Sequence, residues 1–298
     1  EKEVAEICDA WAKDIGERGV DNDHEIAAYI KRTVTDEVYN APDELLDRLF
    51  DRGNIGEFDD SETQKEAKNT LVAYEAAKGG NVNKSWIDFS ALKPTYKNRQ
   101  VETDISYVDL RKNGFKSIAK LTTFGKEALY NALFYDVFSA IDAAITGGNQ
   151  KIDVSGAVPT ITAMDSLELY LTERDDNALA VCLTKYAQAI GRMDGFHQYM
   201  SDTMKDNFNR YGLVENFGRM GIASIASAHK QGNGDLLIPD KRIFGIAGKI
   251  GTLDMKGDLH VYETLDNNKE AVNIKIADFT YGYAISKIDN LAKIVFAQ

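Results

Sequence analysis

The clearest pattern along the chain is a long helical repeat of apolar positions near its middle. From Thr123 to Thr146 no proline interrupts the sequence, and apolar residues return at every third or fourth position. The apolar set is Leu129, Leu133, Val137, Ile141 and Ile145, with Tyr130, Phe134 and Phe138 beside them. This repeat predicts one long helix, about 36 Å from end to end at 1.5 Å per residue, with a wide buried face.

Polar residues define the other face of this helix and both of its ends. A narrower polar stripe consists of Asn131, Tyr135, Ser139 and Asp142. A substitution on this stripe, such as Asp142→Ala, should therefore be tolerated. We expect Thr123 to cap the N-terminus and Gly147-Gly148 to supply a left-handed exit. The apolar run just before Thr123 is predicted to be a short strand that passes directly into the helix.

Alternating apolar and polar positions predict strands on both sides of this helix. Trp86–Ala91 and Val101–Leu110 alternate with a period of two, which predicts a long two-stranded excursion. Residues 257–285 carry the strongest such signal, with a turn at Asp266-Asn267-Asn268, and predict two long antiparallel strands.

The excursion needs a surface to lie on, because an isolated hairpin is only marginally stable in water. We expect a neighbouring subunit to supply that surface. The aromatic side chains that would seat the excursion there, and hence the candidate assembly-interface residues, are Trp86, Phe89 and Tyr107. Replacing residues 80–112 with a short turn should leave the rest of the chain folded.

A compact α/β unit is predicted between the long helix and the C-terminal strands. Its elements are helices at Thr160–Thr172 and near Thr184–Ile190, and strands at Ala178–Leu183, Ile222–Ala228 and Ile243–Ile250.

Composition and charge narrow the class of protein. The 298 residues are 44% hydrophobic, and since no run of about 18 apolar residues occurs, a membrane span is not expected. The net charge is −12, and residues 1–70 hold 20 acidic against 9 basic side chains. A basic face for gripping nucleic acid is missing, so we do not expect sequence-specific DNA binding. Cys8 and Cys182 are far apart, which favours a reducing compartment over a disulfide framework.

None of the short motifs predicts an active site. Residues 245–251, GIAGKIG, resemble a phosphate loop, but Ile243 occupies the place of its first glycine and Ile250 that of the magnesium-binding hydroxyl. Ser117 and Lys120 have the spacing of a serine-lysine pair without its companion motifs, and they lie in the predicted strand. The four histidines are scattered. We therefore expect no catalytic residue, no cofactor and no metal.

The order of elements resembles that of the major capsid proteins of tailed bacteriophages. Shared features are an acidic helical arm, a β excursion, a strand leading into a long helix that ends in Gly-Gly, an α/β unit, a β-hairpin and a short apolar tail. Lys116–Gly148 resembles the spine-helix segment of that family, with Lys-x-Ile-Ala-x-Leu-Thr, Phe-Gly-Lys-Glu and Ile-Asp-Ala-Ala-Ile-x-x-Gly. Tyr211–Gly251 resembles a strand followed by a solvent-facing loop. The resemblance covers residues 85–298.

The resemblance implies an α+β fold of the tailed-phage major capsid type. Its parts would be an acidic helical N-arm (1–51), an extended β loop (52–115), a peripheral domain with the spine helix (116–148 and 252–286), and an axial domain (149–251 and 287–298). The protein would not be an enzyme.

By the same resemblance, copies of the chain would assemble in the host bacterial cytoplasm into the hexamers and pentamers of an icosahedral virion shell around double-stranded DNA. Portal, scaffolding and decoration proteins are the further partners that the resemblance suggests. Two alternatives stay open. One is an encapsulin-type nanocompartment shell, which has the same fold, and the other is an α/β enzyme whose site has no recognised motif.

Overall fold

The computed structural model describes residues 31, 43–59, 61–64, 91–113, 115–193, 196, 200–211, 213–266 and 270–297. In these residues helices and strands are mixed in one chain, and two mixed sheets pack with one long helix. The α+β class predicted from the sequence is confirmed.

The bounds of the elements follow the chain order. The helices are α1 (Glu44–Leu49), α2 (Tyr107–Asn113), α3 (Phe115–Ala144), α4 (Ile161–Thr172), α5 (Thr184–Gly191) and α6 (Asp202–Tyr211). The strands are β1 (Phe50–Ile55), β2 (Thr63–Gln64), β3 (Ala91–Leu92), β4 (Thr95–Ser106), β5 (Lys151–Val154), β6 (Ala178–Leu183), β7 (Asn216–Phe217), β8 (Met220–Ile225), β9 (Arg242–Ala247), β10 (Gly251–Lys256), β11 (His260–Asp266), β12 (Ala271–Ile285) and β13 (Leu291–Phe296). Short 3-10 turns occupy Gly148–Gln150 and Ile288–Asn290.

The long helix α3 is confirmed, but it begins eight residues before the predicted start. Its 30 residues span about 45 Å. The predicted strand before Thr123 is wrong, and so is the predicted cap. The hydroxyls of Thr122 and Thr123 donate to the carbonyls of Ile118 and Ala119, at 2.9 and 3.0 Å, and so are satisfied inside the helix. After the helix ends, Gly148 has φ +70°, which confirms a left-handed residue at the exit.

Five strands form the first sheet, in which β12 is the central element. The sheet order is β1-β10-β12-β11, and β4 pairs along the other side of β12. The antiparallel pair of β11 and β12 confirms the predicted long hairpin. Asp278 in β12 has φ +63° where the register against β4 shifts, so a bulge bends this strand between its two halves.

Six strands form the second sheet, which contains the predicted α/β unit. The order is β5-β13-β9-β6-β8-β7, and the last strand of the chain, β13, lies between β5 and β9. Strand β6 matches its predicted bounds and is buried at every position. Helix α4 begins after Thr160, whose hydroxyl accepts from the Ala163 amide at 3.4 Å.

Two of the three glycines in the run 245–251 have packing roles. A Cβ on Gly245 would lie 2.6 Å from Leu167 Cδ1, so the glycine lets α4 approach β9 closely. A Cβ on Gly251 would collide with the carbonyl of Ala284 on β12. Close packing between neighbouring elements therefore accounts for these two glycines.

Candidate assembly surface

The three residues predicted to seat the excursion have different outcomes. Trp86 and Phe89 lie outside the described residues, so their role stays a prediction. Tyr107 was expected on a strand, but it is the first residue of helix α2. The strand ends because Ser106 caps the helix: its Oγ accepts from the Asp109 amide at 3.1 Å and donates to the Asp109 carboxylate at 2.7 Å. The Ser-x-x-Asp spacing is the sequence signal for this boundary.

The excursion strand is partnered within its own chain, contrary to the expectation that it needs a neighbour. Strand β4 pairs with β12 along eleven residue pairs, from Thr95 with Tyr283 to Ser106 with Ala271. Ile105 of β4 is buried in the core. The sequence pattern gave the strand but not its partner, because the partner lies about 170 residues away along the chain.

A groove lies between this strand pair and the first turns of α3. Its cavity volume is about 430 Å³, and its apolar lining includes Ile105, Leu121 and Ile276. Phe124, also in the lining, is 64% exposed. Polar groups also line the groove: Thr103, Asp104, Asp109, Asn113, Ser117 and Lys120. The lining of the groove therefore combines apolar and polar groups.

Large apolar side chains are also exposed away from this groove. Phe58, just after β1, is 93% exposed, and Leu169 on α4 is 62% exposed. Val158 is 57% exposed and, with Met193, lines a second cavity of about 530 Å³ beside α5. Scattered exposed apolar residues are ordinary on a monomer. Here they lie in both halves of the molecule.

A buried carboxylate fixes β4 to the long helix. Asp136 of α3 has a side chain that is 2% exposed, and it accepts from Lys97 Nζ at 2.7 Å. Arg99 donates to both carboxylate oxygens, with Nη2 at 2.8 Å from Oδ1 and 2.7 Å from Oδ2. The hydroxyl of Tyr281, on β12, donates to Oδ2 at 2.5 Å. We call these four residues the Asp136 cluster.

The charges of the Asp136 cluster stabilise one another. Burial by itself would raise the pKa of Asp136, but hydrogen bonds from Lys97, Tyr281 and Arg99 outweigh burial and hold that pKa below its ordinary value. The pKa of Tyr281 is raised by burial and by its bond to the carboxylate, so the phenol stays a donor. Sequence analysis missed Asp136. The sequence feature that could have identified it is an acidic residue among the apolar residues Phe134, Val137 and Phe138.

Asp142, a second carboxylate of α3, was predicted to lie on a solvent-facing polar stripe and to tolerate substitution. The structure contradicts this position, because the side chain binds two cations of the six-stranded sheet. Lys293 of β13 donates from Nζ to Asp142 Oδ1 and to its backbone carbonyl, both at 2.8 Å. Arg242 of β9 forms an ion pair with the same Oδ1, with Nε at 2.8 Å. The Lys293 side chain is only 8% exposed. We call these three residues the Asp142 cluster.

Candidates for chemistry among the described residues are few. Ser117 and Lys120 lie on helix α3 rather than on the predicted strand, and both line the groove. Cys182 is buried, and burial raises the pKa of its thiol to about 12, which disfavours the reactive thiolate. Across the described part of the chain, no group of three or more metal-binding side chains comes together. None of the helices in the same residues has the length and hydropathy needed to cross a membrane.

Comparison with known proteins identifies solved structures that have a similar fold. No protein-family model and no curated protein sequence matches this chain. Among solved structures, the capsid of Cyanophage P-SCSP1u is similar with a TM-score of 0.60 at 12% identity, over 85% of this chain and 88% of that one. The capsid of an empty GTA particle gives 0.59 at 12% identity, over 89% and 98%. A virus-like particle from Pyrococcus furiosus gives 0.51 at 14% identity, over 91% and 99%.

In each comparison the similarity extends along most of both chains. It is therefore a similarity of the whole fold and not of one shared motif. At these identities it is a similarity of fold. The fold predicted from the order of elements is confirmed: the two sheets and the long helix of this chain have the arrangement found in phage capsid shells.

Proposed function

We propose that this chain is a major capsid protein, a structural subunit that assembles with its own copies into hexamers and pentamers of an icosahedral shell enclosing phage double-stranded DNA. The observation that carries the proposal is the match to the Cyanophage P-SCSP1u capsid over 85% of this chain and 88% of that one. The absence of a recognised catalytic motif in the sequence agrees with a structural role.

The proposed division into domains follows the sheets. The five-stranded sheet with α3 would be the core of the peripheral domain (116–148 and 252–286). Strand β4 would join it from the extended loop (52–115), and β1 would join it from the boundary between the N-arm (1–51) and that loop. The six-stranded sheet would be the axial domain (149–251 and 287–298). This assignment is supported by the chain crossing between the sheets close to each proposed boundary, at 145–150, 248–250 and 286–290.

The proposed assembly contacts involve the excursion and the groove beside it. Trp86, Phe89 and Tyr107 would contact a neighbouring copy, and exposed apolar residues such as Phe124 would be covered in the shell. Burial of such side chains between copies supplies association energy without any change in the subunit fold.

Electron microscopy of the purified full chain tests the proposal directly. The expected result is closed shells, or ring-shaped capsomers that close on concentration. The double variant Trp86→Ala/Phe89→Ala should assemble poorly, whereas Glu127→Gln, at an exposed position of α3, should assemble as the parent does. A chain that sediments as a 33.1 kDa monomer under every assembly condition would contradict the proposal.

A nanocompartment shell of the encapsulin type is the second candidate, and the similarity to the Pyrococcus furiosus virus-like particle favours it. The contents of particles made in the native host distinguish the two. Nuclease-protected double-stranded DNA, with portal and virion proteins, supports the phage capsid. Particles that hold an enzyme and no genome support the nanocompartment.

A further inference from the structure

The chain crosses between the two sheets three times, and two of these crossings are short connectors that lie side by side. Residues 248–250 join β9 of one sheet to β10 of the other, and residues 286–290 join β12 back to β13. The amides of Ser286 and Lys287 donate to the carbonyl of Ile250, at 2.9 and 3.0 Å, so the two connectors form one narrow junction. A junction of this kind permits the sheets to rotate relative to each other unless another element restrains them.

A surface cleft lies beside the junction. Helix α1 leads directly into β1 of the five-stranded sheet, and a cavity of about 460 Å³ separates it from β8 of the six-stranded sheet. Leu45 and Arg48 line one side of this cleft, and Glu215 and Ile222 line the other. The cleft is confined to the outer side of α1, because Leu46 and Leu49 of the same helix are fully buried in the core.

One restraint on the angle between the sheets comes from the C-terminal third of α3. Asp136 and Asp142 are six residues apart, which places them about 9 Å apart along the helix axis and on faces about 120° apart. The Asp136 cluster holds the helix to β4 and β12 of the five-stranded sheet. The Asp142 cluster holds it to β9 and β13 of the six-stranded sheet.

The contacts between the two clusters make this part of the helix stiff. Phe138 lies between the two carboxylates in sequence, is fully buried, and packs on Phe244 of β9 with ring centroids 5.9 Å apart. Lys293 also binds the backbone carbonyl of Asp142, which is among the last four carbonyls of the helix and lacks an intrahelical partner. The end of the helix is thereby held against bending and fraying.

We infer that Asp136 and Asp142 make the end of α3 a strut that fixes the angle between the two sheets across the junction at 248–250 and 286–290. Each carboxylate holds one sheet, and both belong to one rigid helix. Loss of either cluster therefore frees one end of the strut and lets the sheets change their relative angle.

The experiment measures a distance across the junction in the full chain. Spin labels are placed at Tyr262→Cys on β11 and Leu169→Cys on α4, both exposed positions, in a Cys8→Ser background. Cys182 is buried and can stay in place. Labelled chains are mixed with an excess of unlabelled chains, so that the pulsed electron resonance signal reports distances within one subunit.

The parent and the control Glu127→Gln should give the same narrow distance distribution. Asp136→Asn and Asp142→Asn should each broaden or shift it, with circular dichroism unchanged. If Asp136→Asn fails to fold, the double variant Lys97→Gln/Arg99→Gln tests the same anchor, because it removes both cations that bind the carboxylate. A parent-like distribution in folded Asp142→Asn together with either Asp136-cluster variant overturns the inference, whatever the outcome of the assembly experiments.

Discussion

The hydroxyl of Tyr130 on α3 donates to Oδ2 of Asp43 at 2.8 Å, while Oδ1 of the same carboxylate caps α1 by accepting from the Leu46 amide at 2.8 Å. One side chain thus starts the short helix and ties it to the long one. Burial raises the pKa of Tyr130, and its bond to Asp43 adds to that rise, so the phenol remains a donor at neutral pH.

Asp43→Ala should therefore lower the free energy of unfolding by about 2 kcal/mol, since it removes an N-cap and leaves the half-buried hydroxyl of Tyr130 without this acceptor. Urea denaturation at neutral pH measures the change. Asp43→Asn, which can still cap, should lose less. Glu44→Ala, at the exposed next position, should cost only a few tenths of a kcal/mol. Equal losses for Asp43→Ala and Glu44→Ala would contradict this role of Asp43.

The Asp136 cluster should make stability depend on pH in the acid range. The pKa of Asp136 is lower in the folded chain than its value of 3.8 for an unperturbed side chain. The stabilisation is therefore fully present above about pH 4 and is lost as the pH falls through the folded pKa. Asp136→Asn should cost about 2 kcal/mol at neutral pH, because it removes the charge from several hydrogen bonds.

The measurement compares parent and Asp136→Asn by denaturation from neutral pH down to about pH 3. The difference between them should begin to shrink as the pH falls below about 4, because the unfolded parent then binds a proton at Asp136 that the folded parent does not yet bind. A difference that stays constant over this range would mean that the carboxylate charge does not stabilise the fold. Lys97→Gln should show the same trend with a smaller amplitude.

The sequence predicted those elements whose pattern is local. Strand β6 and helix α4 were found almost to the residue, because a fully apolar run and a helical repeat of apolar positions are each visible within a few residues of sequence. The start of α3 was missed because Thr122 and Thr123 favour caps in isolation, and only the structure shows their hydroxyls bonded within the helix.

Features that depend on distant pairing could not be found in the same way. The partner of β4 is β12, and the partners of Asp136 lie on those two strands. Nothing in the neighbourhood of Asp136 specifies Lys97 or Tyr281. For the same reason Asp142 was assigned to a plain polar stripe, although its partners are Arg242 and Lys293, about 100 and 150 residues away.

Asp142→Ala should accordingly be destabilising, by about 2 to 3 kcal/mol, because it leaves the ammonium of Lys293 buried without its carboxylate. Thermal and urea denaturation measure the effect. Ser139→Ala, on the same predicted stripe, should change stability by less than about 1 kcal/mol. The companion change Lys293→Met should recover part of the loss in the Asp142→Ala background, since it removes the unpaired charge. No recovery in the double variant would argue against the ion pair as the cause.

The excursion contributes to folding through β4, whereas the sequence pattern predicted that it could be removed without unfolding the chain. Replacing residues 80–112 with a short Gly-Ser turn removes β4, and with it eleven pairings to β12, the buried Ile105 and two cations of the Asp136 cluster. We therefore expect this deletion to unfold the five-stranded sheet rather than leave a folded, unassembled subunit.

The double variant Trp86→Ala/Phe89→Ala keeps β4. It should therefore fold with the melting temperature of the parent but fail to assemble into shells. Circular dichroism and sedimentation velocity on both variants test these expectations. A folded deletion variant would contradict the contribution of β4 to the sheet. Full-size shells from the double alanine variant would show that Trp86 and Phe89 are not assembly contacts.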